Sequence, residues 1–169
     1  EVEEQMRGAL ERNEFEVYYQ PQIDAINNSI IGAEALLRWH SPVLGNIGPD
    51  EFIPVAEHTG LIVPIGQFVV KQSLSFLNEW QALHNNDYRI AVNLSPRQFR
   101  DAKLISFIQE SLSEANISAS SLELEITEGV LMTGQSYINE SLKELNKLGI
   151  KLSMDDFGTG YSSLSYLRQ

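Results

Sequence analysis

The sequence predicts an α/β domain of the TIM-type (β/α)-barrel class, of which these residues supply about the first two thirds. Three observations carry that reading. From residue 89 onward the apolar pattern runs strand, helix, strand, helix, strand, which is the signature of parallel strands joined by helical crossovers. Polar residues recur late in successive strands, with Asn93, Glu125 and Asp155 spaced 32 and 30 residues apart. The chain has 169 residues, 43% of them hydrophobic, enough for one domain with a real core. A closed barrel of this type takes about 250 residues.

The elements follow in order. Residues 14–23 (EFEVYYQPQI) alternate apolar and polar and are rich in aromatic and β-branched types, so they read as a strand. Asn27-Asn28-Ser29 is a turn, and 30–39 (IIGAEALLRW) forms the next strand. There Glu34, Leu36 and Arg38 share one face, and Ala33, Ala35, Leu37 and Trp39 share the other. The stretch holding Pro42, Gly45, Gly48 and Pro49 reads as loop. DEFIPVAEHT forms a short helix stopped by Gly60, and Pro64 opens a longer one to about residue 84. RIAVNL (89–94) is a strand that runs into Ser95-Pro96-Arg97-Gln98, a capping box with Pro at the first helical position. The helix beyond it carries Leu104, Ile105, Phe107, Ile108 and Leu112 on one stripe. LELEITE (122–128) alternates strictly. A helix over roughly 135–148 stops at Gly149, and IKLSMDDF (150–157) is the last strand.

Charge and composition exclude several classes of function. With 23 acidic against 12 basic side chains, the net charge is -11, which argues against non-specific binding to duplex DNA. There is no cysteine, so disulfides and thiolate metal sites are ruled out. No apolar run is long enough to span a membrane, and Glu1-Val2-Glu3-Glu4 does not read as a signal peptide.

The chemistry concentrates in Glu34, Asn93, Glu125 and Asp155, with Asp156 adjacent. In α/β barrels the C-terminal ends of the strands build the active site. Carboxylate and amide oxygens without sulfur suit hard cations such as Mg²⁺, Mn²⁺ or Ca²⁺. Neighbouring Asp residues also suit a carboxylate bridging two ions about 3.5–4 Å apart, as in in-line phosphoryl displacement. Blander readings stand beside these. Glu123 reads as solvent-facing, Glu125 is evenly balanced, and Asp155-Asp156 equally suits the start of a turn. Arg38 and Glu34 also suit a structural ion pair. Gly158-Thr159-Gly160 lacks the further glycine and the lysine of a phosphate cradle and reads as an active-site loop. His40, His58 and His84 read as surface or packing residues, and Tyr18-Tyr19 reads as core in preference to a base-stacking platform.

Seven segments together carry a resemblance: YYQP at 18–21, EALLRW at 34–39, FIPVAE at 52–57, GLI at 60–62, NLSPRQ at 93–98, LELEITE at 122–128 and DDFGTGYSSL at 155–164. The chain resembles the EAL domain family, named for a triplet that here is Glu34-Ala35-Leu36. Its members are bacterial phosphodiesterases that linearise cyclic di-GMP to pGpG, using two Mg²⁺ or Mn²⁺ ions. The resemblance implies a barrel whose first strand runs antiparallel to the rest. It implies that Glu34, Asn93, Glu125 and Asp155 hold the first metal, with Asp155 bridging to a second beside Asp156. Gln20, Leu36 and Arg38 resemble substrate contacts, Arg38 meeting a phosphate. Glu128 resembles the residue that holds the catalytic loop at 156–164 and couples it to dimerisation.

The family's site also carries a water-activating lysine, a further glutamate and a glutamine, all expected beyond Gln169, so the 169-residue chain alone is expected to be inactive. Residues 1–8 read as the end of a linker helix and 9–169 as the domain. Family members often sit in longer proteins with GGDEF or sensory domains. The location expected is cytoplasmic, with any inner-membrane anchor lying in segments outside this chain. The alternative to catalysis is a receptor that binds cyclic di-GMP without hydrolysing it. A third reading is a scaffold that only dimerises.

Overall fold

The strict alternation of 122–127 becomes a strand with Leu122, Leu124 and Ile126 fully buried on one side and Glu123 and Glu125 half-buried on the other. Burying each such aliphatic side chain contributes about 1.5–3 kcal/mol, so the side that faces the helices is settled by energy. The computed structural model describes residues 1–127 and 136–155, the Asp155 side chain excepted. Glu128, Asp156, the Asp155 side chain and the loop at 156–164, for which the resemblance implies roles, lie outside the described residues.

One sheet organises the molecule. β1 (Phe15–Ile23) and β2 (Ile30–Ser41) form an antiparallel hairpin in which Gln20 lies opposite Glu34 and Tyr18 opposite Leu36. Its turn closes through Asp24, whose side chain accepts from the Ile26 amide, and Asn28 at φ 61°. β4 (Arg89–Leu94), β5 (Leu122–Thr127) and β6 (Lys151–Asp155) then add in parallel, giving the order β1-β2-β4-β5-β6. This is the partial α/β barrel expected, with its first strand antiparallel.

The stretch at 42–49, expected as loop, holds a further strand, β3 (Gly45–Ile47), paired with the end of β2. Ser41 Oγ accepts from the amides of Val43 and Leu44, and Gly45 takes φ 83°, so the chain folds straight back and buries Ile47 beside Trp39. Pro49, also expected as loop, is the first residue of α2 (Pro49–Thr59), which Gly60 ends at φ 84°. The long helix, α3 (Ile62–His84), begins two residues before Pro64.

The single helix expected after Ser95 is in fact two pieces. The capping box forms as read, but it heads a 3-10 turn at Pro96–Arg100, and α4 (Leu104–Ala115) starts afresh. The break falls at Asp101, which ends the 3-10 turn with extended backbone (φ -79°, ψ 114°) and whose side chain accepts from the Lys103 amide just before α4. α5 (Ser136–Lys147) closes at Gly149, φ 95°.

Helices α3, α4 and α5 cover one side of the sheet, over Ile90, Val92, Leu94, Leu122, Leu124 and Ile126. A second core lies under the hairpin, where Phe15, Trp39 and Phe52 meet ring on ring at 5.6–5.9 Å. α1 (Val2–Met6) reaches this second core through Met6. At its edge the buried Glu14 accepts from Trp39 Nε1 at 3.0 Å and from Arg12 Nε at 2.6 Å. The Arg12 hydrogen bond outweighs burial and holds the Glu14 carboxyl below its usual range.

Candidate functional site

Strand register brings the expected site residues onto the side of the sheet that the helices leave free. Side chains on paired positions of neighbouring strands point the same way, and along a strand they alternate. Gln20 pairs with Glu34, Glu34 with Ala91, and Asn93 with Glu125, so these polar residues form a row across β1, β2, β4 and β5. Glu34 is the last residue of the parallel β2–β4 ladder, and Asn93 and Glu125 lie close to their strands' C-terminal ends. Asn93 Nδ2 donates to Glu34 Oε2 at 3.3 Å. Asp155 ends β6, in register with Thr127.

Above the row opens a cleft of about 590 Å³ lined by Glu34, Leu36, Arg38, Asn93 and Glu125, among others. Gln20 lies opposite Glu34 but is not part of this lining. The walls come from α2, through Asp50, Ile53, Pro54 and Glu57, from α3, through Ile62, Ile65, Gly66 and Val69, and from Ser95 and Pro96 beyond β4. The sequence shows Glu57 only as part of the FIPVAE segment and gives it no role. In the structure its carboxylate accepts from Ser95 Oγ at 2.6 Å, and its backbone carbonyl accepts from Arg97 Nη1 at 2.7 Å. Ser95 N–H donates to Gln98 Oε1 at 2.8 Å, so α2 and the capping box together pin the chain leaving Asn93. Gly66 on α3 makes room for this, since a Cβ there would come within 2.1 Å of Gln98 Nε2.

Three blander readings are overturned. Glu34 and Arg38 do not form an ion pair; Arg38 Nη1 donates to the Leu37 carbonyl at 3.1 Å, and its guanidinium sits 5.3 Å from the centre of the Tyr18 ring. Tyr18 is not core. It is 45% exposed beside Arg38, whereas Tyr19 stacks on Phe76 at 3.8 Å. Glu123 is half-buried on the same side as Glu125 rather than solvent-facing, because that side is the barrel interior.

The donor set fits a hard divalent cation: two carboxylates and an amide, all oxygen donors, with no cysteine in the chain. Among the described residues no three His, Cys, Asp or Glu side chains are gathered tightly enough to hold a metal by themselves. Among the described residues that line the cleft, Arg38 is the one Lys or Arg, in a forked shape that matches a phosphate.

Comparison with known proteins gives the family. A family model described as EAL domain matches residues 3–169. The chain is 43% identical over 164 residues to the bifunctional diguanylate cyclase/cyclic di-GMP phosphodiesterase MucR of Pseudomonas aeruginosa, covering 97% of this chain and 24% of that protein. It thus spans about a quarter of that relative's length. The solved structure of the PaMucR phosphodiesterase in complex with cyclic di-GMP is similar at a TM-score of 0.89 and 42% identity, covering 99% of this chain and 68% of that one. The EAL enzyme Bd1971, solved with cAMP and cyclic di-GMP bound, is similar at a TM-score of 0.87 and 33% identity, covering 99% of this chain and 46% of that one. With a match over nearly its whole length and the strand-end row in place, the chain belongs to the EAL domain family.

Proposed function

We propose that this chain is the substrate-binding and metal-holding part of a phosphodiesterase that hydrolyses cyclic di-GMP to linear pGpG. The observation that carries the reading is the row Glu34, Asn93 and Glu125, set at strand ends in one cleft with Arg38. It is supported by the likeness to MucR, named for that activity.

In this reading Glu34, Asn93, Glu125 and Asp155 hold Mg²⁺ or Mn²⁺, with Asp156 alongside. The bound ions supply a water acidified toward neutral pH and charge neutralisation at the scissile phosphate. The protein's own part is placement. Arg38 offers parallel N–H donors to a phosphate, orienting the ester. Leu36, between Glu34 and Arg38 on the same face, gives an apolar surface for the sugar or base. Asn93 Nδ2 steadies the Glu34 carboxylate, and the Glu57–Ser95–Gln98 hydrogen bonds hold the backbone that carries Asn93. Gln20 and Glu128 belong to the same proposal, as a substrate contact and as the support of the loop at 156–164. So does a homodimer.

The test is chromatography of cyclic di-GMP incubated with Mg²⁺ or Mn²⁺ and a protein that carries this chain together with the residues expected beyond Gln169, the 169-residue chain being run alongside. Glu34→Ala should lower turnover at least about a hundredfold, the scale of losing a group that supports transition-state charge. Activity within a few-fold of wild type would remove Glu34 from the site. Ligand bound intact in both metal and EDTA would favour the receptor reading instead.

A further inference from the structure

An anion site needs a cation that is not already neutralised, and the hairpin holds Arg38 in that condition against the local odds. Glu16 lies directly opposite Arg38 in the β1–β2 register, on the same side of the sheet. Opposite charges facing each other across antiparallel strands ordinarily pair. Here they do not. Glu16 Oε1 lies 3.1 Å from His40 Nε2, and His40 Nδ1 lies 2.8 Å from Asn46 Oδ1 on β3. The short strand that the sequence did not disclose therefore orients the imidazole that draws Glu16 away. Two residues along β1 from Glu16, the Tyr18 ring takes the guanidinium at 5.3 Å, and Tyr18 also lies 6.2 Å from the His40 ring. Apart from the Leu37 carbonyl, Arg38 has no hydrogen-bond acceptor among the described residues, so most of its donors are open to the cleft it lines.

We propose that His40 and Tyr18 are positioning residues for ligand binding: His40 keeps Glu16 off Arg38, and Tyr18 holds the guanidinium where a phosphate can reach it. The inference rests on the cyclic di-GMP reading for the identity of the phosphate, but its core is a choice of partner made within the ligand-free protein. Removing the imidazole frees Glu16 to pair with Arg38 and compete with the phosphate. Removing the Glu16 charge as well abolishes that competition.

Two measurements test it. In the ligand-free protein, the Arg38 Nε–H resonance should shift in His40→Ala and return in the double variant His40→Ala/Glu16→Gln; an unmoved resonance in His40→Ala overturns the inference. In calorimetric titration with cyclic di-GMP and Mg²⁺, His40→Ala should bind about two- to fivefold more weakly, the scale of one exposed ion pair, and Glu16→Gln should restore it. Tyr18→Phe should bind as wild type and Tyr18→Leu about two- to fivefold more weakly, as for a lost cation–π contact. A loss in His40→Ala that Glu16→Gln does not relieve overturns the competition. If wild type does not bind cyclic di-GMP at all, the functional reading fails, and the resonance alone then decides the role of His40.

Discussion

Glu14 joins the packing of the second core to a single titration. Its carboxylate accepts from Trp39 and Arg12 while buried, and the Arg12 bond keeps it ionised below the usual range. A carboxyl depressed in the folded state contributes stability that is fully present above its unfolded pKa of about 4.3 and is lost as pH falls through the lower folded value. Glu14→Gln should therefore be less stable than wild type at pH 7, with the gap closing below about pH 4. Urea midpoints followed by tryptophan fluorescence at both pH values check this; a gap that stays constant with pH would show that Arg12 and Glu14 are not coupled. At Gly66 two effects compete. Alanine in a helix gains about 1 kcal/mol over glycine. A Cβ here, however, displaces the Gln98 amide and strands the Ser95 N–H, at about 1–3 kcal/mol plus the strain of the insertion. Gly66→Ala should thus lower stability by about 1–2 kcal/mol in thermal unfolding, whereas a solvent-exposed helix glycine would show a gain.

At the scale of elements, the β2–β4 contact does most to place the site, and it is short. Only Gly32, Ala33 and Glu34 pair with β4, through Arg89, Ile90 and Ala91. Gly32 permits that approach, because a Cβ would stand 2.5 Å from the Arg89 carbonyl oxygen. This is backbone, with no side chain to swing aside. Gly32→Ala should cost about 1–3 kcal/mol or more and move Glu34 relative to Asn93, weakening ligand binding together with stability. A substitution of the core residue Leu124 should cost about 2–5 kcal/mol as alanine, yet leave the ligand affinity of the remaining folded protein nearly unchanged. Equal affinity losses in the two variants would mean that the β2–β4 junction has no special part in the site.

For the molecule as a whole, the net charge of -11 sets the problem that the site must solve, because a phosphate ligand approaches an acidic protein. Arg38 and the proposed divalent cations offset this locally. If Glu34, Asn93 and Glu125 hold Mg²⁺ or Mn²⁺, the ion stabilises the folded state by linkage, about 2.7 kcal/mol at a hundred times its dissociation constant. The thermal midpoint should rise on adding the ion, and the rise should vanish in Glu34→Gln. A rise of equal size in that variant would place the ion elsewhere.

Much of this was written locally. Alternation over 122–127, the Ser95–Gln98 capping box, and the stops at Gly60 and Gly149 depend on neighbours a few residues away, and each appears in the structure as read. The row of Glu34, Asn93 and Glu125 was also legible, because strand period and position near the strand end are properties of each segment. What escaped depends on partners far along the chain. Ser95 is held by Glu57 at a separation of 38 residues, and Glu16 is drawn from Arg38 by His40 at a separation of 24. A side chain's own pattern states which face it takes. Which of several nearby charges or rings it then meets is decided only when the strands come into register and the α2 wall closes over them, since these contacts compete at close range for the same groups.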